Sequence, residues 1–310
     1  MNFKTTVVIL FTVMAGISCS KDSTGLNATD PQRSLELTGT FETWAGGIIM
    51  STDPSGITYH QPSGHLLMTD SEINEIDDIW NCQNVFEISL AGDTVFNTFD
   101  VYGAGGAPCP AQNYREPSGI TYSAFDGFYY VTDDNQQVIM RFDSNFTAPP
   151  LAVVNVLADE ATATDPEGVA CDPNTGDLYI VSGIDGTNAV AQILHYNANL
   201  EFITRYPVGD NITDPEGIAY HPISGHLFIL SRLDMAIFEY TRDGAYVQSY
   251  AISNFTPQPI RPVGLTFAPA SDPGADPTQF NLYIVDTQED NDENLNERDG
   301  LVYEAKIVNR

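Results

Sequence analysis

Short apolar runs, separated by turn-forming residues, recur along most of the chain. The clearest ones are residues 178–182 (LYIVS), 227–231 (LFILS) and 282–286 (LYIVD). Uninterrupted runs of this length predict strands that are buried on both faces. The segments that follow them, such as residues 193–196 (ILHY), predict a further strand that alternates between two faces. Beyond the N-terminal segment, no stretch shows a sustained 3.6-residue periodicity with helix caps, so we predict an all-β protein.

A five-fold repeat organises these runs. Each unit begins with a Pro-x-Gly motif followed by a branched apolar residue, and the five motif glycines are Gly56, Gly119, Gly168, Gly217 and Gly264. They are spaced 63, 49, 49 and 47 residues apart. Each motif is followed by a turn, a buried strand, an alternating strand and, in most units, an outer strand. Four strands in a unit of roughly fifty residues are typical of one propeller blade.

We therefore predict a five-bladed β-propeller of four-stranded antiparallel blades. The last unit ends after its third strand, whereas a spare strand, residues 35–43, precedes the first unit. We expect this N-terminal strand to pair with residues 301–307 and close the ring, because closure removes exposed strand edges. The predicted organisation is a signal peptide over 1–19, a tether over 20–33 and one propeller domain over 34–310.

The motif and the Leu-Tyr-[Ile/Val]-x-Asp strand resemble those of NHL-type and SdiA-regulated-like propellers. The Asp-Pro-Glu-Gly form at 165–168 and 214–217 also resembles the "esterase-like activity of phytase" propellers. The resemblance covers roughly residues 34–307 and implies the fold, since propellers serve as hydrolases, lyases and binding modules alike. Related hydrolytic propellers of the gluconolactonase and paraoxonase kind usually have six blades, whereas five are predicted here.

The N-terminus is typical of an export signal. Lys4 precedes an apolar stretch over 7–17 that is too short to span a bilayer, and small residues lead into Cys19. This arrangement resembles a bacterial lipoprotein signal, with Cys19 as the lipidated residue and a polar tether after it. A simple secretory signal is the alternative. We expect an outer-membrane or cell-surface lipoprotein, and otherwise a periplasmic or secreted protein.

The charge is strongly acidic, with 12 Lys and Arg against 42 Asp and Glu and a formal net charge of −30. Such a surface repels nucleic acid and anionic lipid, so we expect no nucleic-acid partner and contact with a membrane only through a lipid anchor. It attracts cations, calcium included, although a highly soluble surface also explains it. We expect a monomer.

Three cysteines lie in the predicted propeller. Cys82 and Cys109 fall in long loops of the first unit, and we predict a disulfide between them. Cys171 lies in a first strand, where we expect a buried free thiol.

Strand direction places one set of polar residues on a single face. In an antiparallel meander, the first strand begins on the face where the second strand ends. We therefore expect a funnel face around the central channel. At the starts of first strands it carries Ser55, Ser118, Glu167 and Glu216, at the ends of second strands Asp70, Asp133 and Asp286, and soon after them Asp134, Asp185 and Asp234.

Glu167 and Glu216 occupy equivalent positions in neighbouring units, so we expect their side chains to converge. Two like charges in a partly dry funnel require a cation or a shared proton, and hard oxygen ligands favour calcium. Glutamates that cap a turn are the alternative. In the resembled gluconolactonase group, acidic and amide side chains hold a central divalent ion.

A second acidic cluster follows the last buried run. Asp290, Asp292 and Asn294 have the spacing of a calcium loop but lack its glycine and its final glutamate. If the ring closes as predicted, this loop shares a rim with Asp70 and Asp286, and we predict a shared calcium site there. A solvated acidic loop is the alternative.

Two functions remain open from the sequence. The first is an exported calcium-binding propeller that binds a small-molecule or protein ligand at its acidic funnel face. The second is a metal-dependent esterase, lactonase or phosphoesterase that uses an ion in the central channel. No nucleophile-elbow, Ser-His-Asp or phosphate-cradling pattern occurs, so the sequence does not decide whether the protein is an enzyme.

Overall fold

The computed structural model describes residues 33–44, 48–73, 80–101, 116–147, 149–288 and 300–309. Across these ranges the chain forms five antiparallel sheets of four strands each. A single short helix, α1 (Val156–Asp159), interrupts the all-β pattern there. No helix in these ranges is long and apolar enough to cross a membrane.

Each sheet is one blade, and the strands follow the sequence repeat. Strand β1 (Arg33–Glu42) precedes the first blade. Blade 1 consists of β2 (Pro54–His60), β3 (His65–Asp70), β4 (Val85–Ile88) and β5 (Val95–Phe99). Blade 2 consists of β6 (Gly119–Tyr122), β7 (Tyr129–Asp133), β8 (Val138–Phe142) and β9 (Ala152–Asn155). Blade 3 consists of β10 (Pro166–Cys171), β11 (Leu178–Ser182), β12 (Gln192–Tyr196) and β13 (Phe202–Pro207).

The last two blades complete the ring. Blade 4 consists of β14 (Pro215–Tyr220), β15 (Leu227–Ser231), β16 (Ala236–Tyr240) and β17 (Tyr246–Ala251). Blade 5 consists of β18 (Pro262–Pro269), β19 (Phe280–Asp286), β20 (Leu301–Asn309) and the N-terminal strand β1. The predicted five-bladed β-propeller is confirmed.

The hydrophobic core is divided among the blade interfaces. Five clusters of buried side chains occur, and each combines residues of two neighbouring blades. The second strand of every blade contributes to the clusters on both of its sides; for example, Tyr179 packs towards blade 4 and Leu178 towards blade 2. This explains why these strands read as unbroken apolar runs, since neither of their faces meets water.

The N-terminal strand closes the ring, as the sequence predicted. Strand β1 pairs antiparallel with β20, from Arg33 opposite Asn309 to Glu42 opposite Leu301. At the start of β1 the Arg33 guanidinium donates to the carboxylate of Glu239 in blade 4 at 2.8 Å, and the Glu239 side chain is fully buried. The closing strand is therefore fixed to its neighbouring blade as well as to its own.

The five motif glycines meet around the axis of the propeller. A Cβ atom added to Gly168 would lie 2.7 Å from the amide nitrogen of Ile218 and 2.8 Å from the Cα of Gly217. Equivalent contacts join Gly56 to Gly119 and Gly119 to Gly168, and Gly264 meets the backbone around Gly56. Neighbouring first strands approach too closely for any side chain at this level. The recurrence of glycine in the motif is a packing requirement of the ring.

Replacement of Gly168 by alanine tests this requirement. The added methyl group would clash with the backbone of blade 4, and we expect the free energy of unfolding in urea to fall by roughly 2–3 kcal/mol. Gly209→Ala is the matched control, because its Cβ would meet nothing closer than 3.8 Å. Equal stability of the two variants would contradict the glycine ring.

Candidate functional site

A cavity opens on the face where the first strands begin and the second strands end. It encloses about 820 Å³ of empty space, part of it open to solvent, and all five blades contribute to its wall. Eight acidic side chains and two arginines line it: Asp53, Glu72, Glu116, Asp134, Asp165, Glu167, Asp185, Glu216, Arg232 and Arg261. Carboxylates therefore dominate the wall.

Three of these carboxylates form a tight cluster, which we call the acidic triad: Asp134, Asp165 and Glu167. One oxygen from each lies within 4.8 Å of the others. Asp134 follows strand β7 in blade 2, whereas Asp165 immediately precedes β10 in blade 3 and Glu167 lies within it. The triad thus joins two neighbouring blades at the mouth of the channel.

The surroundings of the triad disfavour a negative charge on all three carboxyl groups at once. Removal from water, followed by the charge of Glu116, raises the pKa of Asp134 to about 8. Burial, together with the charges of Asp185 and Asp214, raises the pKa of Asp165 to about 6. Burial, and then the nearby charge of Glu216, raises the pKa of Glu167 well above its ordinary value. Protons or a cation must compensate this cluster near neutral pH.

Glu216 has a different partner from the one predicted. Its carboxylate forms an ion pair with the Arg232 guanidinium at 3.0 Å, and the same guanidinium binds the Asp214 carboxylate at 2.9 Å. Burial raises the pKa of Glu216 to about 8 despite the opposing effect of Arg232. Glu167 and Glu216 do influence one another, since the charge of Glu216 contributes to the raised pKa of Glu167. Of the two glutamates, only Glu167 belongs to the triad.

Asp70 and Asp286 accept equivalent hydrogen bonds from backbone amides in blades 1 and 5. The Asp70 carboxylate accepts the Thr52 and Asp53 amides at 2.9 and 3.1 Å, and the Ile73 amide at 2.7 Å. In blade 5, Asp286 accepts the amides of Ile260 and Arg261, both at 2.8 Å. In both of these blades, the aspartate that ends the second strand therefore fixes the loop that leads into the first strand. Neither residue contributes to the triad.

Two further predicted aspartates hold loops. Asp133 accepts the amide of Gln136 at 2.8 Å. Asp234 accepts the Thr213 amide at 2.8 Å and the hydroxyl of Ser231 at 2.7 Å. Asp185 lines the cavity, and its amide donates to Asp165 at 3.2 Å.

The two predicted serines connect neighbouring blades. Ser55 donates to the carbonyl oxygen of Pro117 at 2.9 Å, and Ser118 donates to that of Pro166 at 3.3 Å. In both cases the acceptor is the motif proline of the next blade. The position that carries glutamate in blades 3 and 4 is therefore structural in blades 1 and 2.

Several predicted residues lie outside the described ranges. These are Cys19, Cys109, Asp290, Asp292 and Asn294, and also the signal peptide and residues 20–32 of the tether; Arg33, predicted to end the tether, begins strand β1 instead. Cys82 is disulfide-bonded, but the pairing with Cys109 stays a prediction, as does the rim calcium site. Cys171 is a buried free cysteine, and burial raises its pKa to about 12.

Sequence reasoning missed part of the cavity wall, which one recurring position of the repeat motif supplies. The residue before the motif proline is acidic in four blades and arginine in the fifth: Asp53, Glu116, Asp165, Asp214 and Arg261. Four of these five line the cavity, and Asp214 binds the cavity arginine Arg232. This position supplies Asp165 to the triad.

Comparison with known proteins supports the fold. No protein-family model matches the chain, and no curated protein is significantly similar to it. Among solved structures, glutaminyl cyclase from Myxococcus xanthus is 10% identical with a TM-score of 0.55, over 90% of this chain and 98% of that one. A luciferin-regenerating enzyme is 12% identical with a TM-score of 0.49, over 86% and 95% of the two chains. A streptogramin B lyase is 14% identical with a TM-score of 0.45, over 88% and 98%.

At such identities the likeness to glutaminyl cyclase shows the propeller fold alone. The resemblance to NHL-type, SdiA-regulated-like and phytase-esterase propellers stays a prediction.

The acidic cavity predicts a characteristic pH dependence. Carboxyl groups with a raised pKa keep protons that the unfolded chain has already released, so unfolding releases protons. Stability should therefore fall as the pH rises from about 4, the ordinary carboxyl pKa, towards the folded value of about 8 for Asp134. Asp134→Asn removes one such group and should flatten this fall, measured as the free energy of unfolding in urea with a chelator present.

Asp210→Asn is the control for this experiment. Asp210 is exposed on the same side of the propeller, outside the cavity lining. Its variant should keep the wild-type slope. A wild-type slope in Asp134→Asn as well would show that Asp134 titrates normally.

Proposed function

We propose that this protein is a calcium-binding β-propeller that binds a ligand or partner at its acidic cavity, with the ion held by Asp134, Asp165 and Glu167. The observation that carries this proposal is the convergence of three carboxylate oxygens within 4.8 Å of one another. A divalent cation at this point would compensate the charges that burial and mutual repulsion disfavour.

The chemistry of the triad favours calcium over softer metals. All three groups offer hard carboxylate oxygens, and neither imidazole nor thiolate belongs to the triad. Calcium accepts six to eight oxygen ligands in variable geometry, so waters and ligand oxygens would complete its shell. Zinc and copper sites typically include histidine or cysteine.

The proposal extends to the location of the protein. An acidic, calcium-binding surface suits an exported protein, and the N-terminal signal with Cys19 supports attachment through lipid. Incorporation of labelled palmitate into wild-type protein, and its loss in Cys19→Ala, would test the anchor. An unlabelled wild-type protein would leave a secreted or periplasmic propeller.

A metal-dependent hydrolase is the second candidate, and one observation favours it. Glu216 lines the same cavity and has a pKa of about 8, close to the pH at which a general base works best. Beside a cation that polarises a substrate, this carboxylate would accept a proton from water. Calcium-dependent turnover of p-nitrophenyl esters or phosphates, lost in Glu216→Gln, would support an enzyme. No turnover with either class would leave the binding protein.

The metal proposal predicts a calcium-dependent rise in melting temperature. Wild-type protein, first treated with a chelator and then titrated with calcium, should gain about 2.7 kcal/mol when calcium reaches roughly 100 times its dissociation constant. Glu167→Gln should abolish most of this gain, because the amide keeps the shape of the side chain but removes the charge. A thermal melt at a series of calcium concentrations measures the effect.

Two controls make the result specific. Asp210→Asn should respond to calcium as wild type does, since this exposed aspartate lies outside the cavity lining. Magnesium should stabilise less than calcium, because it demands a near-ideal octahedral shell and dehydrates reluctantly. The proposal is wrong if Glu167→Gln and wild type respond equally, or if neither responds.

A further inference from the structure

Large aliphatic side chains are exposed on the cavity face. Five of them are between 41% and 60% exposed, and together we call them the apolar rim: Ile48, Met50, Ile184, Leu233 and Ile260. A partner that covered these aliphatic groups would remove their apolar surface from water, which favours binding.

Three members of the rim are sequence neighbours of residues that line the acidic cavity. Ile184 precedes Asp185 in blade 3, and Ile260 precedes Arg261 at the start of blade 5. Leu233 follows Arg232 in blade 4. All three of these neighbours line the cavity. The sequence thus alternates cavity-lining charges with exposed aliphatic groups around its mouth.

Blade 1 completes the rim. Ile48 and Met50 precede Ser51, whose hydroxyl donates to Asp70 at 2.7 Å, and they line a separate pocket with Phe86 and Val95 of blade 1, outside the acidic cavity. Four of the five blades therefore contribute to the rim. Exposed apolar groups beside a charged cavity offer a partner both apolar area and opposite charge.

The charge of the centre selects the partner. Eight carboxyl groups and two guanidinium groups line the cavity, so acidic groups would still outnumber basic ones after one calcium ion had bound at the triad. A second copy of this chain would bring two acidic cavities face to face, and their like charges would repel. The anionic surface of a membrane would be repelled for the same reason. A basic side chain flanked by apolar side chains fits both the centre and the rim.

We propose that the apolar rim and the acidic cavity together bind a protein segment in which an arginine or lysine, inserted into the cavity, is flanked by aliphatic residues that cover the rim. This inference rests on the proposed function, because it names the partner of the same cavity. The guanidinium or ammonium group would bind cavity carboxylates outside the triad, by charge-assisted hydrogen bonds. The flanking residues would bury the rim.

A designed peptide tests both parts of this inference. The probe is a fluorescent five-residue peptide with arginine at its centre, leucine on each side and serine at each end. We expect it to bind calcium-loaded wild-type protein in fluorescence anisotropy. Replacing the arginine by glutamine, or both leucines by serine, should weaken binding at least about tenfold.

Rim variants provide the matching test on the protein. Leu233→Ser with Ile260→Ser should weaken binding of the probe about tenfold and leave the calcium-dependent melt unchanged. The control pair is Val153→Ser with Ile203→Ser, which are 55% and 50% exposed on the outer strands β9 and β13, away from the cavity. This pair should bind the probe as wild type does.

The outcomes separate this inference from the calcium proposal. If the rim pair binds the probe as tightly as wild type, or if the glutamine peptide binds equally well, the inference is wrong even where calcium still stabilises the protein. If calcium has no effect but the probe still requires both the rim and its arginine, the partner surface stands and the metal site does not.

Discussion

The close approach of five first strands around one axis is the constraint on which the rest of the structure depends. The motif glycines pack against one another with no space for a side chain, as at Gly168 and Gly217. The residue before each glycine is consequently carried to the mouth of the channel. In blades 3 and 4 that residue is glutamate, so the geometry that closes the ring also brings carboxylates together. The raised pKa of Glu167 is a direct consequence of this packing.

The residue before the motif glycine has a structural role in some blades and lines the acidic cavity as a carboxyl group in others. Ser55 and Ser118 use the position to donate to the next blade, whereas Glu167 points its charge into a cavity shared with Asp134 and Asp165. At the same position of blade 4, Glu216 forms an ion pair with Arg232. Two of the five blades are thus joined to the next blade by neutral hydrogen bonds from this position. Uncompensated acid is concentrated between blades 2 and 3, where a cation would contribute most.

The fold could be predicted from the sequence because the features that determine it, the repeat spacing and the order of strands, can be read along the chain. The glycine spacing fixed the number of blades, and a spare strand with no partner predicted the closure between β1 and β20. The site was less predictable. Glu167 was found from its repeat position, but the ion pair between Glu216 and Arg232 joins a first strand to a loop after a second strand, and spacing gives no sign of it. Asp165 was missed because the pattern does not show that the side chain before a proline turns towards the axis.

The proposed function depends most on the position of the cation. Crystals of the propeller soaked in terbium, a calcium substitute with strong anomalous scattering, would locate it directly. We expect an anomalous peak bounded by oxygens of Asp134, Asp165 and Glu167, at distances of about 2.3–2.6 Å as for calcium. A peak confined to other acidic loops, or no peak at this triad at saturating terbium, would contradict the proposed calcium site.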